Sequence, residues 1–173
     1  RIIAPLGLAE VQLLQVLFFG NRRQSLTDFV LSDLGVARYY PYSLDRQHRL
    51  FPRREALDEY LACGALSDSW YELREMEDPA ALPALAEELL TLDIRFPSSE
   101  NRWYRLCNGL ARDLERLGEL ELAAQLYCRS GRHPARERRL RIMERSQDWA
   151  GALQLGDEIL AEPWCEEERD AAE

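Results

Sequence analysis

Three short strings in the second half of the chain share one pattern: a small residue, a Leu three places on, and a Pro eight places after that. They are Ala86/Leu89/Pro97, Ala123/Leu126/Pro134 and Ala152/Leu155/Pro163. A recurrence of this kind restricts a chain to stacked helices, because each unit buries its apolar face only against the next. In each copy the Ala lets two helices approach closely, the Leu fills the groove between them, and the Pro is expected to end the helix. The two spacings, 37 and 29 residues, are unequal, so the repeat is degenerate. An ordinary helical bundle with chance spacing is the competing reading.

Leu117-Gly118, then Ala123-Ala124 and Tyr127, resembles the tetratricopeptide pattern, whose period is about 34 residues. Residues 70–173 are therefore expected to form a tetratricopeptide-like helical solenoid. Residues 1–69 read differently. Leu8 to Phe19 has apolar residues at helical spacing and stops at Gly20-Asn21; a second helix, capped by Ser25 or Thr27-Asp28, closes at Gly35. Val36 to Tyr42, a polar stretch to Arg49, and Leu50-Phe51 then suggest a β-hairpin, with Pro41 on an edge strand. Pro52 opens a helix expected to run through Leu61. Helix, helix, hairpin and helix in that order predict a small winged-helix-like module. The expected fold class is mainly α.

Composition removes whole classes of chemistry. All 22 basic residues are Arg, and no Lys occurs. Schiff-base catalysis, lysine-dependent phosphate loops and Glu-x-Lys nuclease motifs are excluded from these residues. No G-x-S-x-G, H-E-x-x-H, C-x-x-C or Gly-rich phosphate loop is present. No catalytic residues and no metal ligands are therefore expected, and no cofactor. Cys63, Cys107, Cys128 and Cys165 are widely spaced and read as buried or partly buried reduced thiols. Acids such as Glu87, Glu88 and Glu166 to Glu168 read as solvated helix faces. The longest apolar run, Leu13 to Phe19, falls far short of the ~20 residues of a membrane helix, and no membrane partner is expected. The start at Arg1 rather than Met, and the acidic end, suggest a piece of a longer protein.

The formal charge of −9 is unevenly spread. Arg129 to Arg145 holds seven Arg against Glu137 and Glu144, and Asp157 to Glu173 holds eight acids against Arg169. Fields decay over about 8 Å at physiological salt, so local patches govern binding. On a helix from about Asn101 to Leu117, Arg102, Arg105, Arg112 and Arg116 fall within an arc of about 80°, with Gly109 inside it. Leu106, Leu110, Leu114 and Leu117 take the core side. The result is a guanidinium ladder about 20 Å long, with a gap at Gly109 where another backbone could come near. Guanidinium forks suit phosphate oxygens, and Arg102 adds the anion preference of a first helical turn. Pairing with Glu100, Asp113, Glu115 or Glu119 is the plain alternative. Arg138, Arg141 and Arg145 form a second ladder, expected to contact the DNA backbone along the duplex; Arg22-Arg23 and Arg53-Arg54 sit where a winged-helix module would touch the same backbone.

The strings Leu34-Gly35-x-x-x-Tyr39-x-x-Tyr42, Leu50-Phe51-x-x-Arg54-x-x-Leu57-x-x-Tyr60, Ala65-Leu66-Ser67-Asp68 and Arg102-Trp103-Tyr104-Arg105-Leu106 together resemble the Fanconi-associated nucleases. That resemblance implies a parent enzyme that is a structure-specific 5′-flap endonuclease and 5′–3′ exonuclease in interstrand-crosslink repair. It implies a Mg- or Mn-dependent nuclease module of the virus-type replication-repair class, which a lysine-free segment cannot contain. It also implies that Arg102 anchors a DNA 5′-phosphate, supported by Arg105 and Arg112. The expected partners are branched or flap DNA with a 5′-phosphate and the nuclease domain of the same parent chain. The location would be cytoplasmic and nucleoid-associated in a bacterium, or nuclear in a eukaryote. The rival function is a tetratricopeptide-like protein-interaction scaffold with no nucleic-acid role.

Overall fold

The computed structural model describes residues 8–20, 26–37 and 49–173, which fall into two compact units, Arg1–Pro52 and Arg53–Glu173. In the first unit, α1 (Leu8–Phe19) and α2 (Leu26–Asp33) match the expected helices. Gly35, at φ +70°, closes α2: a left-handed residue lets the amides of Val36 and Ala37 turn back onto the Leu31 carbonyl. The hairpin predicted over residues 36–51 lies mostly outside the described residues. Its described ends, Val36-Ala37 and Arg49 to Phe51, are not strands, and no strand occurs among the described residues.

The second unit is all helix: α3 (Arg54–Glu75), a 3₁₀ turn at Pro79–Ala81, α4 (Leu82–Thr91), α5 (Pro97–Leu117), α6 (Leu120–Arg129), α7 (Ala135–Arg145), α8 (Trp149–Ala161) and α9 (Glu166–Ala172). The helix expected to stop at Leu61 continues to Glu75, because Cys63, Leu66 and Trp70 prolong its buried face. The boundary expected at residue 69 thus falls inside α3, whereas the compact units divide after Pro52.

α5 is the centre of the unit. Trp103, Leu106, Cys107, Leu110, Ala111 and Leu114 are buried at alternating three- and one-residue steps, which keeps them on one face against α3, α4 and α6. Each fully buried Leu contributes roughly 1.5–3 kcal/mol of transfer free energy, so the three leucines of this face are a substantial part of what holds α5 in place. Leu117, expected on it, is 44% exposed. Gly118, at φ +88°, ends the helix one residue later, and a two-residue turn leads into α6.

The repeat is real in its apolar positions. Ala86, Leu89, Ala123, Leu126, Ala152 and Leu155 are all buried, on α4, α6 and α8. The prolines act differently from the expectation. Pro97 is the first residue of α5, Pro134 immediately precedes α7, and Pro163 stands between α8 and α9. The helices have already ended at Thr91, Arg129 and Ala161. A missing N–H costs nothing at a helix start, so the prolines open the next helix or its approach. The unequal spacing also has a cause: α5 has 21 residues and α7 only 11.

α9 is held to the stack by a buried ion pair. Arg136 of α7 meets Glu168 with both prongs of its fork, at 2.9 and 2.6 Å, donates to the Glu162 carbonyl at 2.8 Å, and lies 3.9 Å over the Trp164 ring. The Trp164 amide donates to the same carboxylate at 2.7 Å. Glu168 is fully buried, not the solvated acid expected from its polar neighbourhood. Burial alone would raise its pKa; the hydrogen bonds from Arg136 and Trp164, with the Arg136 charge, outweigh that and hold it below the usual carboxylate range.

Candidate nucleic-acid interface

The entry into α5 sets the position of the guanidinium ladder. Both oxygens of Glu59, on α3, accept from backbone amides just ahead of the helix, Arg95 at 2.8 Å and Phe96 at 3.2 Å. α5 starts at Pro97, four residues ahead of the expected Asn101, so Arg102 stands past the first turn and lacks the anion preference expected of it there. Half-buried, it donates from Nη2 to the Tyr60 hydroxyl at 2.7 Å, with its guanidinium 4.3 Å from the centre of the Tyr60 ring. Tyr60 is buried in α3. Arg102 is thus steadied by an aromatic face and a hydroxyl rather than by a carboxylate among the described residues, and a flat cation so held can still present donors to an anion.

Arg105 and Arg112 are exposed on the same flank and form no ion pair among the described residues. The plain alternative holds only for Arg116, which meets Asp113 at 3.3 Å. The gap at Gly109 is not open to a ligand backbone. The Trp70 indole fills it: a Cβ built on Gly109 would stand 2.3 Å from Trp70 Cη2. The indole Nε1 donates to Asp113 at 3.0 Å, and Arg74 lies 3.7 Å from the same carboxylate oxygen. Sequence reasoning had no way to see this, since 43 residues separate Trp70 from Asp113. Beside it, at the C-terminal ends of α3 and α5, Leu73, Arg74, Asp78, Leu82, Arg116 and Leu117 line an open cleft of about 340 Å³.

The second ladder on α7 has carboxylate neighbours throughout. Arg141 meets Glu137 at 2.8 Å, and Arg138 and Arg145 approach Glu115 of α5 at 3.5 and 3.9 Å. Arg53 caps α3 in extended backbone and is exposed; Arg54, also exposed, stands 3.6 Å from Asp58. Arg22 and Arg23 lie outside the described residues.

No group of His, Cys, Asp and Glu suited to hold a metal occurs among the described residues. No helix among them is long and apolar enough to cross a membrane. All four cysteines are free; Cys63 and Cys107 are buried, Cys165 is partly buried, and Cys128 is exposed, contrary to expectation.

No protein-family model matches the chain. A curated protein does: the Fanconi-associated nuclease 1 homolog of Pseudomonas aeruginosa is 31% identical over 160 residues, covering 90% of this chain and 27% of that protein. Two solved structures have the same fold over nearly the whole chain. paFAN1 bound to 2-nucleotide 5′-flap DNA with a gap superposes with a TM-score of 0.78 at 29% identity, covering 96% of this chain and 29% of that one. paFAN1 bound to 1-nucleotide 5′-flap DNA with a gap gives 0.76, also at 29% identity, over 95% of this chain and 29% of that one. The chain is a homologue of one segment of the Fanconi-associated nucleases, and it spans little more than a quarter of the length of the relatives it matches.

Proposed function

We propose that this chain is the non-catalytic DNA-binding and scaffold segment of a structure-specific nuclease. The parent activity would be 5′-flap endonuclease and 5′–3′ exonuclease cleavage in interstrand-crosslink repair. The Mg- or Mn-binding acids and the Glu-x-Lys of the nuclease domain would stand outside these residues, and that domain would be a partner of the repeats. Residues ahead of the helical stack would form a small winged-helix-like module meeting the duplex through Arg22, Arg23, Arg53 and Arg54. The protein would act in the bacterial nucleoid or, in a eukaryote, the nucleus.

One observation carries the reading beyond homology: Arg102, Arg105 and Arg112 share a flank of α5 and are not neutralised by acids among the described residues. Arg102, held by Tyr60, would anchor a terminal 5′-phosphate, with Arg105 beside it and Arg112 extending the contact along the strand. The test is fluorescence anisotropy with 5′-flap DNA carrying or lacking the phosphate. Arg102→Ala should weaken binding to the phosphorylated flap about tenfold, the size of one charged hydrogen bond, and affect the other flap less. Equal loss on both removes the phosphate pocket. Affinity should fall with salt at about −0.9 per neutralised phosphate on a log–log plot. A flat salt response would favour a protein-interaction scaffold.

A further inference from the structure

Arginines on α7 are used in two ways. Arg136 has its donors engaged, forked onto Glu168 and bonded to a carbonyl. Arg138 and Arg145 do not. Their nearest anion is a single oxygen, Glu115 Oε1, at 3.5 and 3.9 Å, beyond the 2.7–2.9 Å of a charged hydrogen bond. The other oxygen of Glu115 accepts from the Tyr127 hydroxyl at 3.3 Å. Only 14% of the Glu115 side chain is exposed, against 33% for Arg138 and 58% for Arg145. Arg112 stands three residues before Glu115 on α5. Burial and the Glu115 charge push the Tyr127 phenol up, and the Arg138 and Arg112 charges oppose that push. Two guanidiniums of α7 thus share one oxygen of a partly buried carboxylate, with Arg112 exposed one turn before it on α5, and that oxygen cannot satisfy them.

We propose that Arg112, Arg138 and Arg145 form a second phosphodiester site, distinct from the one at Arg102, and that Glu115 is its built-in competitor. Glu115 gathers the guanidiniums by charge alone and leaves their hydrogen-bond donors unspent. A phosphodiester, with two charged oxygens and room for forked contacts, completes what the carboxylate leaves open. Arg112 lies ten residues beyond Arg102, about 15 Å along the helix axis. At 3.4 Å per nucleotide along a strand, the site meets the backbone roughly four or five nucleotides from the terminal phosphate. This inference rests on the DNA-binding reading.

The experiment is a salt titration of the whole chain on a 5′-flap substrate without a terminal phosphate, with wild type, Glu115→Gln, Arg138→Gln/Arg145→Gln and the triple variant. Glu115→Gln should bind about fivefold more tightly at low salt, the scale of one unit-charge interaction near 4 Å in a water-like dielectric. The arginine pair should weaken binding and flatten the log–log slope by about 0.9 for each phosphate no longer neutralised; in the triple variant the Glu115→Gln gain should vanish. Unchanged or weaker binding by a folded Glu115→Gln overturns the competitor role. If that variant does not fold, an unchanged slope in the arginine pair overturns the site. Arg102→Ala on phosphorylated DNA, run in parallel, separates the two readings. Binding that needs Arg102 but ignores Glu115, Arg138 and Arg145 removes only this site, and a wild-type chain that binds no DNA removes both.

Discussion

Adding one methyl group in the middle of α5 should weaken the fold, although helix propensity alone predicts the reverse. The Cβ of Gly109→Ala would stand 2.3 Å from Trp70 Cη2 and 2.8 Å from Cζ2. Ordinary contact requires the indole to retreat by about 1 Å. It is poorly placed to do so: Trp70 is only 8% exposed, and its Nε1 is bonded to Asp113. Overpacking of a dense interior costs about 1–3 kcal/mol, and replacing a mid-helix Gly by Ala returns about 1. A 2.3 Å approach to a fixed ring puts the overpacking cost in the upper part of that range, about 2–3 kcal/mol, so the expected balance is a loss of about 1–2 kcal/mol, or a fall in Tm of roughly 3–6 °C for a chain of this size. Gly156→Ala in α8 is the matched control, since nothing lies within 4 Å of its Cβ; it should stabilise by about 0.5–1 kcal/mol. Circular dichroism at 222 nm during thermal and urea unfolding reads both. In a Trp70→Phe background, which shortens the ring, the Gly109→Ala penalty should shrink, and the double-mutant cycle gives the coupling. A Gly109→Ala chain that melts at or above wild type refutes the packing argument.

Glu168→Gln should leave Arg136 mostly buried beside an uncharged partner, at a cost of about 3 kcal/mol, limited by what it costs α9 to detach; hydrogen exchange in α9 should speed up while α5 stays protected. Because the folded pKa of Glu168 is depressed, its stabilisation is fully present above the ordinary carboxylate pKa. It is lost as pH falls through the lower folded value, so α9 exchange measured on acidification should rise there in wild type and not in Glu168→Gln. Burial pushes the Cys63 thiol up to about 11 and Cys107 up to about 12. A thiol-titrating disulfide reagent at pH 8 should therefore find at most Cys128 and Cys165 in the native chain and all four in denaturant; four fast thiols in the native state would contradict the buried placement.

The parts legible in the sequence are those that depend on near neighbours. The buried face of α5 follows from residues three and four apart, and the common flank of Arg102, Arg105 and Arg112 follows from the same rotation. The Ala/Leu recurrence marks the buried side of α4, α6 and α8. What sequence reasoning missed depends on partners far along the chain. Glu115 reads as a local partner for the α5 ladder, yet the fold brings Arg138 and Arg145 to it from α7. Glu168 sits among acids and reads as solvated until Arg136, 32 residues away, is folded over it. Gly109 reads as an opening because the sequence cannot show the indole that occupies it. The prolines mark the right places in the wrong role, since a proline after a helix and one before the next differ by only a few residues.

The helices that lead each pair differ greatly in length, 22, 21 and 11 residues for α3, α5 and α7, while their followers α4, α6 and α8 stay at 10, 10 and 13. Growth of a leading helix by whole turns would leave the Ala/Leu seam untouched while moving its outward-facing side chains by about 5.4 Å per turn. Outward reach is therefore adjustable in this architecture independently of the interior, and chains of this type can diverge in how far their leading helices extend without rebuilding how they stack.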